Sequence, residues 1–272
     1  MPRYDRPGLH SENGSPIFVA TPASAVASVV KMTPIDRLKD LVFICNGIFS
    51  ELVERDSSEN CLNDIINEEK RCTKSTNPNK LAIKIIDMTV AVPHFGVLTV
   101  GADFIGGGKS SPPTVLYGKH SQTLEKLLFP ICCIEVSSVK EVEKFAARKL
   151  LWASIMWLLT NDDKPMSVDI VHKEKTNQLN DLVKELLPVT NIIAGCDIGS
   201  LREVLAYLKS YSLSMPGAKP NKDLALAEIN ERNGQLLKVE DIPQPLHAAL
   251  VTKISGMTLD DIKASGKSIS FS

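Results

Sequence analysis

The sequence predicts an α/β half followed by an all-helical half, and two observations carry that expectation. Up to residue 138, short β-branched runs alternate with stretches of helical spacing, the strand, helix, strand order of a parallel sheet. Beyond it, the apolar run LLWASIMWLL at 150–159 opens a region whose periodic stretches all repeat at helical spacing.

The elements follow in order. PIFVATP at 16–22 is a β-branched run closed by Pro22, ASAVASVVKM has helical character, and DLVFIC at 40–45 is a second strand. That strand ends in Asn46-Gly47, either a plain turn or a binding position, because ligands of such sheets bind beyond the carboxyl ends of strands. Residues 55–80 turn polar and charged and read as a surface excursion. Strands are expected at 81–92 and 96–100, before the loop GADFIGGGKSSPP at 101–113. Its glycines miss both the P-loop spacing and GxGxxG, so it reads as a hairpin loop. TVLYG at 114–118 is a strand, 121–128 a helix and 130–136 an apolar strand. In the second half 160–165 is a turn, and helices are expected at 177–187, 200–210 and 222–237. The last would put Leu224, Glu228 and Glu231 on one helix, and 257–272 reads as a tail.

The stretch EVEKFAARKLLWASIMWLL at 141–159 contains the most informative residue. Phe145, Lys149, Trp152, Ala153 and Met156 fall on one side of a helix, so an ammonium shares a stripe with bulky apolar groups. The ten uncharged residues after it are too few to cross a bilayer, which takes about 20, and mark a buried helix of a globular domain. Lys149 either packs its stem and snorkels its head to water, or it is a desolvated proton donor, since burial lowers a lysine's pKa toward neutrality.

Composition excludes several classes. Hydrophobic side chains make up 43% and charged ones 23%, an ordinary globular balance. A net charge of −1, with no basic run interleaved with aromatics, gives no field for nucleic acid. No stretch argues for a membrane. The opening MPRYDRPGLHSENG lacks the apolar core of a secretory signal, which suggests a cytoplasmic chain and leaves an organelle open. Six cysteines without a CxxC pair read as reduced thiols, mostly core, and no metal site is expected.

The order of these pieces resembles the ketopantoate reductase family, whose members join a nucleotide-binding sheet to a 6-phosphogluconate-dehydrogenase-like helical domain. Asn46-Gly47 in ICNGIFSEL looks like the family's strand and turn, and Arg148-Lys149-Leu150 like the start of its lysine helix. Ser212-Leu213-Ser214-Met215 resembles its Ser-Ser-Met segment. Glu228-Ile229 with Asn233-Gly234, and IPQPLHAAL at 242–250, resemble its closing patterns. The likeness spans residues 15–255. It implies a Rossmann-like α/β domain at 16–138 and a helical dehydrogenase domain at 139–256, after an unstructured start at 1–15.

For function, the resemblance implies hydride transfer from NADP or NAD to a small 2-keto acid, or the reverse from a hydroxy acid. Lys149 would be the proton donor, and Glu228 would orient it or hold the substrate hydroxyl. Ser214 would bind the carboxylate; Asn46, with Gly47, would lie between cofactor and substrate. These residues would converge on one cleft between the domains.

Two departures weigh against full activity. Where the family's lysine helix carries asparagines four and eight places after the lysine, this chain has Ala153 and Trp157. The first three strands and the GxGxxG turn that would hold the cofactor pyrophosphate are also missing from the 272 residues, so the sheet is an incomplete Rossmann-like one and the chain reads as N-terminally truncated. The expectation is an impaired oxidoreductase that binds no cofactor tightly. The alternative is a non-catalytic relative serving for homodimerisation or ligand binding.

Overall fold

The computed structural model describes residues 12–21, 25–44, 88–93, 96–98, 102–104 and 111–265. In chain order they form β1 (Ile17–Val19), α1 (Val26–Met32), a 3-10 helix (Ile35–Asp40), β2 (Leu41–Ile44), β3 (Thr89–Val92), β4 (Gly96–Leu98), β5 (Ala102–Phe104), β6 (Thr114–Tyr117), α2 (Ser121–Leu128) and β7 (Cys133–Glu135). Helices follow: α3 (Val139–Asn161), α4 (Val168–Glu174), α5 (Thr176–Ala194), α6 (Leu201–Leu213), α7 (Lys222–Ala227), a second 3-10 helix (Ile229–Glu231), α8 (Asn233–Leu237), α9 (Pro245–Ser255) and α10 (Leu259–Ser265). Two compact units result, Met1–Gly96 with Pro113–Glu143, and Val97–Pro112 with Lys144–Ser272. The segment expected within the sheet domain at 97–112 thus groups with the helices, and α3 runs through the division.

In the first unit the sheet order is β1-β2-β3-β6-β7. The pairs β1–β2, β2–β3 and β6–β7 are parallel, while β6 runs antiparallel to β3, so the expected parallel sheet is mixed. An antiparallel neighbour needs no crossover helix, and the described elements between β3 and β6 are only β4 and β5, paired in a sheet of their own. The core joins Val42, Ala91, Leu116 and Leu124, with Ile44, Leu128 and Cys133 against it.

At the amino end of β2 a buried carboxylate is fully committed. Asp40 Oδ2 accepts from Gly14 N at 2.9 Å and Arg37 Nε at 2.8 Å, and its Oδ1 from Lys119 Nζ at 3.2 Å. Burial alone would raise its pKa; these donors outweigh burial and hold it below the ordinary carboxylate value. His120 Nε2 stands 3.5 Å from Oδ1. Burial, and then the Lys119 charge, lower this imidazole's pKa against the pull of Asp40.

Among the described residues, the second unit is helical apart from strand residues at 97–98 and 102–104. Every residue of α3 from Leu150 to Leu159 is buried except Ala153, which is half-buried. Fully burying side chains of this kind contributes roughly 1.5–3 kcal/mol each, so the apolar run is interior, as its composition predicts. Helix α5 packs against α4, α6, α8 and α9. The expected turn after α3 is followed at once by α4, a short helix whose Val168 and Val171 are buried. Residue 257 does not start a mere tail: α10 buries Ile262 completely and packs against α8 and the second 3-10 helix.

The single helix expected at 222–237 is three pieces. Arg232, at φ −121° and ψ −107°, leaves helical geometry and separates the 3-10 turn from α8. A side chain at Gly234 would bring its Cβ within 2.8 Å of the Ile229 carbonyl, so glycine permits that tight return. Glu228 therefore ends α7 and starts the 3-10 turn; it does not share a helix with Glu231.

Two polar networks lock these helices. Asp162, just past α3, accepts from Lys253 Nζ of α9 at 2.7 Å and from Lys175 Nζ at 3.2 Å, and Lys175 also donates to the Leu159 carbonyl. Burial raises the Asp162 pKa, but Lys253, the Asp163 backbone N–H and Lys175 prevail and bring it to about 2. On α9, His247 is fully buried, and burial lowers its pKa to about 3. Gln244 donates to the Leu236 and Val239 carbonyls, which turns its Oε1 toward His247 Nδ1 at 2.9 Å. A neutral ring has one N–H. The Asn233 Oδ1 lies 2.9 Å from Nε2; with Nδ1 donating to Gln244, a neutral ring requires the Asn233 amide to turn its NH2 toward Nε2 instead.

Candidate active site

The site is built on α3 and fixed by the residue beside its lysine. Arg148 Nε donates to the Ile198 carbonyl at 2.7 Å, and its guanidinium lies 5.9 Å from the Phe145 ring centre and 5.8 Å from that of Tyr207. Cation–π contacts of this kind add to the hydrogen bond. Gly199 accepts this crowding: its φ is +114°, and a Cβ would meet the Arg148 guanidinium at 2.6 Å. Ser200 and Glu203 then start α6 with a reciprocal capping box. The rotation of α3 is thus pinned one residue before Lys149, which is half-buried.

One turn on, Trp152 Nε1 donates to Ser212 Oγ at 2.9 Å, and the His172 Nε2 of α4 lies 3.0 Å from the same hydroxyl. Burial lowers the His172 pKa, opposed by its hydrogen bond with the Leu208 backbone. The Trp152 ring also packs against Tyr211, with centroids 4.2 Å apart and planes tilted by 46°. Tyr211 is a junction. Its carbonyl accepts from Ser214 Oγ at 2.6 Å. Burial drives its phenol pKa up, and the Arg232 charge acts against that rise. Arg232 in turn is ion-paired with Glu228.

Of the residues singled out from sequence, Ser214 bonds the Tyr211 carbonyl, Lys149 stands three positions before the indole that packs on the Tyr211 ring, and Glu228 is ion-paired with Arg232. Asn46 and Gly47 lie outside the described residues. Trp157, which stands where the resembled family has an asparagine, is fully buried, and neither its Nε1 nor the Ser154 hydroxyl has a hydrogen-bond partner. Sequence reading missed Arg232, Tyr211, Ser212 and His172. Ser212 stood within the Ser-Leu-Ser-Met segment, whereas a lone histidine and an arginine beyond a helix break carried no signal.

A dinucleotide in a sheet of this kind lies beyond the carboxyl ends of the strands. Just past β1, Thr21 Oγ1 is buried without a hydrogen-bond partner. An orphaned hydroxyl suits the polar nicotinamide end; no glycine turn for a pyrophosphate stands among the described residues. Among those residues no group of three or more His, Cys, Asp or Glu side chains gathers as a metal site, and no helix is long and apolar enough to cross a membrane. Of the described cysteines Cys132 is exposed and Cys133 and Cys196 are half-buried, so none is fully interior, although Cys133 lies against the sheet core.

No family model and no curated protein matches the chain by sequence. Solved structures do match. The PanE/ApbA family ketopantoate reductase from Ralstonia eutropha JMP134 superposes with a TM-score of 0.58 at 13% identity, over 92% of this chain and 76% of that one. D-mandelate dehydrogenase with NADH and anilino(oxo)acetate gives 0.52 at 15%, over 93% and 79%, and its complex with NADH 0.53 at 14%, over 92% and 80%. The class is that of dehydrogenase folds, a Rossmann-like sheet followed by a helical unit. Within it, the chain has the ketopantoate reductase-like fold.

Proposed function

We propose that this chain is an NAD(P)-dependent oxidoreductase of the ketopantoate reductase type, acting on a small 2-keto acid with Lys149 as proton donor, at reduced efficiency. One observation carries the reading: a half-buried lysine, on a helix pinned by its neighbour Arg148, stands one turn from an indole tied to the Ser-Leu-Ser-Met segment. The shared fold supports it. A bound nicotinamide supplies the hydride that forms the new C–H bond at the keto carbon. Lys149 holds a proton at Nζ and gives it to the carbonyl oxygen as the C=O π bond breaks; water then reprotonates the amine. The resemblance would have Glu228 orient the lysine, Ser214 receive the carboxylate, and Asn46 with Gly47 meet the nicotinamide. Efficiency is reduced because two of these groups are already engaged within the protein: Ser214 bonds the Tyr211 carbonyl and Glu228 pairs with Arg232.

The same engagement favours a second reading, a non-catalytic relative that binds a ligand or a second copy. Oxidation of NADPH or NADH, followed with a panel of 2-keto acids at cofactor levels up to millimolar, separates the two. Slow turnover that vanishes in Lys149→Ala supports the reductase. Stabilisation by a keto acid with no oxidation supports the second reading.

A further inference from the structure

We propose that Asn13-Gly14 is a self-modification site guarded by Asp40. While the Gly14 N–H stays bound to that carboxylate the asparagine is kept intact; each opening of the turn exposes it to one-way conversion into aspartate or isoaspartate. The site lies in the sheet unit and stands apart from the reductase reading.

The sequence contains three Asn-Gly pairs, and the two that are described are placed in opposite ways. Asn13 and Gly14 are exposed in the middle of a turn, closed by the Ser15 N–H on the Glu12 carbonyl at 3.0 Å, with Gly14 at φ +94°. Asn233 is buried at the start of α8 and bonded to His247. Glycine has no side chain to shield its nitrogen, so the amide carbon of a preceding asparagine can reach it. The Gly14 nitrogen gives its proton to solvent and attacks Asn13 Cγ. The N–Cγ bond forms, the Cγ–Nδ2 bond breaks, and ammonia leaves with a proton returned by solvent. Water then adds across one C–N bond of the five-membered imide, hydroxyl to carbon and hydrogen to nitrogen. Opening on the Cγ side gives aspartate, and opening on the main-chain side gives isoaspartate.

The folded turn blocks the first step. The new bond to Cγ takes the in-plane position that the hydrogen holds on the Gly14 nitrogen, and that hydrogen is donated to Asp40 Oδ2 at 2.9 Å. Asp40 is fully buried and held in place by Arg37 and Lys119. Arg37 Nη2 also donates to the Ser15 carbonyl at 3.1 Å, and Asn13 Nδ2, the group that has to leave, donates to Asp36 Oδ2 at 3.4 Å. Conversion prevents the guard from closing again as before. Aspartate sets a carboxylate opposite Asp36 in place of a donor. Isoaspartate runs the main chain through Cβ, and the added methylene carries the Gly14 N–H out of register with Asp40. The buried carboxylate then loses a donor just ahead of β1.

The test incubates the full chain at neutral pH, folded and in urea, and follows Asn13 and Asn233 by peptide mass mapping, with exchange of the Gly14 amide read by NMR. In the folded chain Asn13 converts roughly ten- to hundred-fold more slowly than in urea, the range of one charge-assisted hydrogen bond. The Gly14 N–H exchanges more slowly by the same factor, because both processes need the same local opening. Asn233 is slower still, since it waits for α8 to open. Asp40→Ala, in its folded form, brings Asn13 close to its rate in urea. Should that variant fail to fold, the wild-type chain decides alone through the match between conversion and exchange. Asn13 converting in the folded chain as fast as in urea overturns the guard. So does a Gly14 amide that exchanges freely, Asn233 keeping pace with Asn13, or a folded Asp40→Ala in which Asn13 stays slow.

Discussion

Charge just past α3 and charge on the turn after α7 are handled in opposite ways. Past the last turn of α3, Asp162 is clamped by lysines from two other places in the chain, and Lys253 also takes Asp163. On the 3-10 turn after α7 the ion pair is local, Glu228 with Arg232. Several partners drawn from distant segments make a charge structural, because removing the one carboxylate leaves Lys175 unpaired and loosens the hold on Lys253. A single local partner makes a charge exchangeable. Attraction within each pair matters less to this distinction than the number of elements it ties together.

The largest effect expected on stability comes with acid. His247 has its pKa lowered to about 3 in the folded chain by burial, so the folded state binds fewer protons than the unfolded one between that value and the ordinary 6.5. Stability is therefore full above pH 6.5 and declines as pH falls toward 3, by on the order of a few kcal/mol. Asp162, lowered to about 2 mainly by Lys253 against the opposing effect of burial, adds a second loss below its ordinary 3.8, on the order of 2 kcal/mol. Urea unfolding at stepped pH should show both windows, the upper one missing in His247→Leu and the lower one in Asp162→Asn.

The next effect separates the two charged regions directly. Asp162→Asn should cost about 2–3 kcal/mol, because Lys175 is left partly buried without its counter-charge, which lowers Tm by roughly 5–10 °C. Ser200→Ala, which breaks the capping box of α6, should cost about 1 kcal/mol. Glu228→Ala, in the exchangeable region, should stay within about 1 kcal/mol. Calorimetric melting of the three variants checks the order; a Glu228 loss as large as that of Asp162 would remove the distinction.

Much of the fold is legible in the sequence because its signals are local. The apolar run at 150–159 can only be interior, and Ser200 followed by Glu203 announces the start of α6. The mixed sheet was not legible, since strand direction depends on how β3 returns to β6 and not on the residues of either strand. The break at Arg232 was hidden for a similar reason: KDLALAEINERNGQLL keeps helical spacing, and only the packing of Gly234 against the Ile229 carbonyl shows why the chain turns. Lys149 and Ser214 could be singled out because they sit in recognisable segments. Tyr211, whose ring meets Trp152 and whose carbonyl accepts from Ser214, could not, because its place lies in which neighbours its ring and carbonyl meet.

The proposed chemistry depends on Lys149 as its proton donor, and the most direct measurement is single-turnover oxidation of NADPH by wild type and Lys149→Ala across pH, with a 2-keto acid saturating. Loss of a positioned general acid predicts a fall of roughly a hundred- to ten-thousand-fold in the chemical step. An oxidation rate that Lys149→Ala leaves intact would contradict it.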